Sequence, residues 1–169
     1  MTGACFFIGH REAPQELLPL LRAEIETHIR EYGVSEFIVG HYGGFDHMAA
    51  EAVIAAKKLH PHISLFLLLP YHPATHPVET PTGFDGSYYP WGEKGVPNRI
   101  AILRANRYMV EHVDFLIAYA RFPGSNARKL VEYARQREKK GFLQVHNLAE
   151  KEGEAPQKNH SRFPARDRV

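Results

Sequence analysis

A chain of 169 residues with 44% hydrophobic and 24% charged residues can bury one true core and has the make-up of an ordinary globular domain. Its formal net charge of +2 gives no general attraction to a polyanion, which argues against nucleic acid as a partner. The single cysteine, Cys5, excludes an internal disulfide and a thiolate metal cluster.

The first residues, Met1 to Cys5, lack the basic-then-apolar layout of a signal peptide. No apolar run is long enough to span a bilayer, so the expectation is a cytoplasmic protein that keeps off membranes. Ala4 to Ile8 reads as a strand buried on both faces, and it ends in Gly9-His10-Arg11. Pro14 helps open a helix with Leu17, Leu18, Leu21, Ile25, Ile29 and Tyr32 on one stripe and Gly33 as its stop. Phe37 to Val39 is a second strand. It runs into a loop with Gly40, Gly43 and Gly44, then a helix with Asp46 as N-cap and Ala49, Ala52, Val53, Ala56 and Leu59 facing inward. Ile63 to Leu69 is a third strand, closed by Pro70.

Residues 70–98 carry Pro70, Pro73, Pro77, Pro81, Pro90 and Pro97, which argues against a regular element. Tyr71, Phe84, Tyr88, Tyr89 and Trp91 in the same stretch argue for an ordered loop, either a lid or a cover for the sheet edge. Asn98 is placed to cap a helix running to about His112, with Ile102, Leu103, Met109, Val110 and Val113 buried. Asn106 falls on that stripe and Arg107 at its edge. The pair either bonds nearby loop backbone or faces a ligand. Asp114 to Tyr119 is a fourth strand, Pro123-Gly124-Ser125-Asn126 a second phosphate-type turn, and a helix follows to near Gly141. Phe142 to His146 is a fifth strand. Residues 150–169 are a polar tail without apolar period, which leaves one domain over residues 1–149.

Strands alternating with helices give the α/β class, here a Rossmann-like three-layer sandwich around a five-stranded, mainly parallel sheet. Ligands of such sheets sit at the strand carboxyl ends, at the topological switch point. The strands at 4–8 and 114–119 are therefore expected to be neighbours. Loops with ligand-type residues follow three strands: Gly9 to Arg11, Gly40 to Asp46, and Pro123 to Asn126. Helix N-termini with bare N–H groups suit a phosphate, and the Arg11 guanidinium offers it a bidentate fork. The alternative is that the glycines serve turn geometry and Arg11 a surface ion pair. His10 is either an acid–base group, with its cation disfavoured beside Arg11, or a hydrogen-bonding loop residue. No metal site and no cofactor is read. Pro73 and Pro77 break any helix that would align His72 with His76, and His60 and His62 flank Pro61 in a turn.

Three motifs together resemble the SLOG superfamily over roughly residues 4–148. They are Gly9-His10-Arg11 after a first strand, the Val39-Gly40 to Phe45-Asp46 loop, and Asn106-Arg-Tyr-Met-Val110 before Asp114 and a Gly-Ser turn. That group holds Rossmann-like nucleotide-binding domains related to the LOG phosphoribohydrolases and to DprA. The resemblance is to a small bacterial branch, and it implies a nucleotide-type small molecule as ligand and a homo-oligomer. Binding, as in a sensor, is the first reading. Hydrolysis of an N-glycosidic bond is the alternative, with Asp46 and Glu51 as the carboxylates it would need. Asp46 reads first as a helix cap and only then as a catalytic carboxylate. In the phosphoribohydrolase motif a Glu stands where this chain has Leu130, with Glu132 two residues late. An Arg stands where this chain has Ala105. These departures tip the balance toward binding.

Overall fold

The computed structural model describes residues 3–93 and 95–151. Most of the expected polar tail, residues 152–169, lies outside the described residues. Among the described residues six strands form one sheet: β1 (Gly3–Gly9), β2 (Val34–Val39), β3 (Ser64–Leu68), β4 (Gly86–Tyr88), β5 (Phe115–Tyr119) and β6 (Gln144–Asn147). Every pairing is parallel and the order is β4-β3-β2-β1-β5-β6. The helices are α1 (Leu18–Arg30), α2 (Gly44–Leu59), α3 (Asn98–His112) and α4 (Asn126–Lys139), with a short 3-10 turn at Gln15–Leu17.

Side chains alternate faces along a strand, and both faces are covered here. Phe7, Phe37, Val39, Leu65 and Ile117 point toward α1 and α2, where Leu21, Ile25, Ala49 and Val53 meet them. Phe6, Ile38, Leu68, Leu116 and Val145 point the other way, toward Ala105, Met109, Val131 and Ala134 of α3 and α4. This is the three-layer α/β sandwich. The strand expected at 4–8 and the one at 114–119 are neighbours, paired from Cys5 with Phe115 to Gly9 with Tyr119.

The sheet has six strands rather than five. The sixth, β4, lies inside the proline-rich stretch expected to lack regular structure. Gly86, Ser87 and Tyr88 pair with Phe66, Leu67 and Leu68 at the sheet edge, so the strand is stabilised by its neighbour rather than by an apolar run of its own. Two helix starts also differ from expectation. Gly43 caps α2 and Asp46 sits in its first turn. Pro97 precedes α3, so Asn98 is already helical. The α3 stripe is rotated, with Ala101, Ala105, Met109 and Val110 buried while Leu103 is 51% exposed. Small alanines let α3 approach the sheet where larger side chains would hold it off. In α2, Leu59 is likewise exposed.

The chain leaves β1 for β2, β3 and β4 on one side, then returns to β5 on the other. The loops after β1 and β5 therefore diverge and open a crevice at the carboxyl ends of the sheet.

Candidate functional site

A cavity of about 560 Å³ occupies this crevice. Its floor and one side come from the ends of three strands: Gly9, His10 and Arg11 after β1, Gly40 and Tyr42 after β2, Leu68 and Pro70 after β3. Asp46 of α2 reaches in beside them. The opposite wall is helical, with Leu103, Asn106 and Arg107 of α3 and Ser125, Asn126, Lys129, Leu130 and Tyr133 at the start of α4. A volume of this size falls in the range of small-molecule sites, roughly 300–1,000 Å³.

His10 ties the two diverging loops together. Its Nε2 accepts the backbone N–H groups of Arg121 at 2.8 Å and Phe122 at 3.4 Å. An acceptor nitrogen carries no proton, so the ring is neutral and protonated at Nδ1. Burial also lowers its pKa, and this is the cause, rather than the neighbouring Arg11. The ring packs on Tyr119 and Phe122 at centroid distances of 5.5 and 4.8 Å.

The glycine loop is shaped by close packing on the β1 loop. A Cβ at Gly44 would lie 2.6 Å from the Arg11 carbonyl oxygen, and one at Gly43, where φ is 144°, would lie 2.9 Å from Arg11 Cα. One at Gly9 would lie 2.4 Å from the Phe45 ring. The N–H groups of Gly44 and Phe45 donate to the carbonyls of Arg11 at 2.7 Å and His10 at 3.3 Å. Those two N–H groups therefore serve the fold, and Gly43 and Gly44 stand behind the cavity rather than in its lining. Gly40 lines it, with Asp46 Oδ2 2.9 Å from where its Cβ would be.

Asp46 is half-buried, and its Oδ2 accepts the Tyr42 N–H at 3.2 Å. Burial raises its carboxyl to about 6, an effect larger than the opposing one of the Tyr42 hydrogen bond. Glu51 lies elsewhere: its side chain is 67% exposed and pairs with His47 at 3.3 Å. The carboxylate pair required by the hydrolytic alternative is therefore not assembled around the cavity.

On the opposite wall, Ser125 caps α4. Its Oγ accepts the Arg128 N–H at 3.1 Å and donates to the Phe122 carbonyl at 2.7 Å. Gly124, with φ of 79°, supplies the bend and does not line the cavity. Arg107 lies over the Tyr133 ring at 4.2 Å and pairs with Glu111 at 3.7 Å. Lys129, Tyr42 and Tyr133 are lining residues absent from the sequence-based set. Lys129 sits one turn past the Gly-Ser turn, a spacing that would have pointed to it. Among the described residues lining the cavity, the cations Arg11, Arg107 and Lys129 face one carboxylate, Asp46.

No protein-family model and no curated protein matches the chain. Solved structures do share its architecture. One is DNA processing protein A (DprA) from Streptococcus pneumoniae, at a TM-score of 0.61 and 15% identity over 85% of this chain and 49% of that one. The likeness is one of fold, a Rossmann-like parallel sheet with helices on both faces. A second structure, of DprA from Helicobacter pylori, matches at a TM-score of 0.52 and 16% identity over 84% of this chain and 74% of that one. The present chain thus spans about half the length of the pneumococcal protein.

The Helicobacter structure concerns a single-stranded DNA binding mode. A protein of this fold that binds single-stranded DNA overturns the expectation that a near-neutral net charge argues against nucleic acid. The physical reason lies in averaging. A total of +2 is spread over the whole chain, whereas the cavity gathers three cations against one carboxylate. No helix among the described residues is long and apolar enough to cross a membrane.

Proposed function

We propose that the protein binds a nucleotide through the cavity at the carboxyl ends of β1, β2 and β5, with the phosphate between Arg11, Lys129 and the first turn of α4. The observation that carries this reading is the charge of the lining, in which Arg11 and Lys129, beside an Arg107 already paired with Glu111, outnumber Asp46. Burial favours the neutral form of Asp46 as well, which softens its repulsion of an anion. The first N–H groups of α4 add a partial positive charge on the same side. Tyr42 and Leu103 offer apolar surface to a base.

A single strand of nucleic acid is the second reading, with one of its nucleotides in the cavity. The observation that favours it is Phe122, 55% exposed beside His10, where a neighbouring base could stack. Hydrolysis of an N-glycosidic bond has less support. Leu130 lines the cavity where the phosphoribohydrolase motif has its Glu, and Asp46 lacks a carboxylate partner there. The free, buried thiol of Cys5 is in keeping with a cytoplasmic setting.

The test is equilibrium binding of labelled nucleoside monophosphates and of short single-stranded DNA, each measured at two salt concentrations. Saturable binding of the mononucleotide supports the first reading. Binding of the oligonucleotide alone, with a steep salt dependence, supports the second. Absence of both removes the proposal.

A further inference from the structure

On the α1 side of the sheet, three side chains that do not line the cavity converge. Glu24 and His28 lie four residues apart on one face of α1, and His146 comes from β6. One nitrogen of each imidazole and one carboxylate oxygen all lie within 4.8 Å of one another. Nδ1 of His146 is 3.1 Å and Nδ1 of His28 is 3.6 Å from Glu24 Oε1. Tetrahedral zinc, bound at about 2.0–2.2 Å, needs ligand atoms about 3.3 Å apart. Both Nδ1 atoms face the oxygens of Glu24, so ligation through Nε2 needs the rings and the carboxylate to rotate together.

The second observation concerns unmet bonding capacity. His28 Nδ1 lies 2.7 Å from the Glu24 carbonyl, which can only accept, so the proton sits on Nδ1 and Nε2 carries a bare lone pair. His28 Nε2 and His146 Nε2 are both buried, and neither has a hydrogen-bond partner among the described residues. Glu24 and His28 are only 5% and 0% exposed. The rings of Tyr32 and Phe115 close the site, 4.9 and 5.3 Å from His28. The ammonium of Lys151, half-exposed, holds the second Glu24 oxygen. A cationic position is thus already part of the cluster.

We propose that Glu24, His28 and His146 form a site for a divalent transition metal of the zinc class, with Lys151 competing for the carboxylate. Two imidazoles favour such an ion over magnesium or calcium, which take oxygen ligands. A bound ion would cross-link α1 to β6.

The test is calorimetric titration of the metal-free 169-residue chain with Zn²⁺ at neutral pH, with Co²⁺ as the spectroscopic probe. The expected result is one equivalent bound, the visible absorption of four-coordinate Co²⁺, and a raised Tm. Lys151→Ala should tighten binding severalfold, because the competing ammonium is gone. His146→Gln should weaken it by roughly tenfold or more. His146 is partly exposed, so this variant is expected to keep the parent circular dichroism where a His28 change risks the fold. Failure of both the parent and Lys151→Ala to take up either ion at sub-millimolar concentration would overturn the proposal. So would uptake that is unchanged by His146→Gln, since that assigns the ion to other histidines.

Discussion

His10 Nε2 lies 2.8 Å from the backbone nitrogen of Arg121, and this contact joins the loop after β1 to the loop after β5 across the switch point. His10→Ala removes that acceptor and the ring contacts with Tyr119 and Phe122. We expect a loss of about 1 kcal/mol in urea denaturation and weaker ligand binding. The contribution also depends on pH. Burial lowers the folded pKa below the ordinary 6.5. The unfolded chain therefore takes up this proton first, and the stability is present above the unfolded value and lost as pH falls through the folded one. In the variant this part of the pH dependence should disappear.

Arg11 presents its backbone to the glycine loop and its side chain to the cavity. Arg11→Ala keeps the backbone contacts and deletes a charge-assisted bond worth roughly 1.5–3 kcal/mol. Nucleotide affinity should fall about ten- to a hundredfold, with Tm nearly unchanged. A parent-like affinity would make Arg11 a bystander.

Asp46 gives the opposite pH signature. Its carboxyl is raised to about 6 by burial, so the folded state holds the proton longer than the unfolded one. Stability from this group is greatest below the unfolded carboxylate value and falls as pH rises through about 6. Asp46→Asn, which can still accept the Tyr42 N–H, should be the more stable protein at neutral pH, by at most about 3 kcal/mol. The gap should close in acid. Denaturation curves at neutral and acidic pH measure it.

Gly44 has no room for a methyl group, since its Cβ would stand 2.6 Å from the Arg11 carbonyl oxygen. Backbone, unlike a side-chain tip, cannot swing aside. Gly44→Ala should therefore destabilise by roughly 1–3 kcal/mol and, by pushing the β1 loop outward, weaken binding as well. Chemical denaturation and a binding titration on one sample separate the two effects.

The strands rich in large apolar residues were legible in the sequence, because β1, β2, β3 and β5 are buried on both faces and read as short unbroken runs. The strand β4 was not, because Gly86-Ser87-Tyr88 owes its conformation to Phe66, Leu67 and Leu68 beside it. In α3 the large residues Ile102 and Leu103 drew attention, while the face on the sheet is built on Ala101 and Ala105. At the crevice, Gly9, His10, Arg11, Gly40, Asp46, Asn106, Arg107, Ser125 and Asn126 converge on one cavity. Gly43, Gly44 and Gly124 are explained by close approach and turn geometry, and a glycine pattern alone does not distinguish that use from anion binding. Glu51 falls on the solvent side of α2. The Glu24, His28 and His146 cluster had no sequence signal, because His146 joins the other two only through the sheet order.

The most direct test of the account is amide chemical-shift mapping of the isotope-labelled protein during titration with a nucleoside monophosphate. The account predicts perturbations centred on Gly9 to Arg11, Gly40 to Asp46, Asn106, Arg107 and the first turns of α4, much reduced in Arg11→Ala at the same ligand concentration. Perturbations confined to the separate groove lined by Phe66, Tyr88 and Tyr108, or none at saturating ligand, would contradict it.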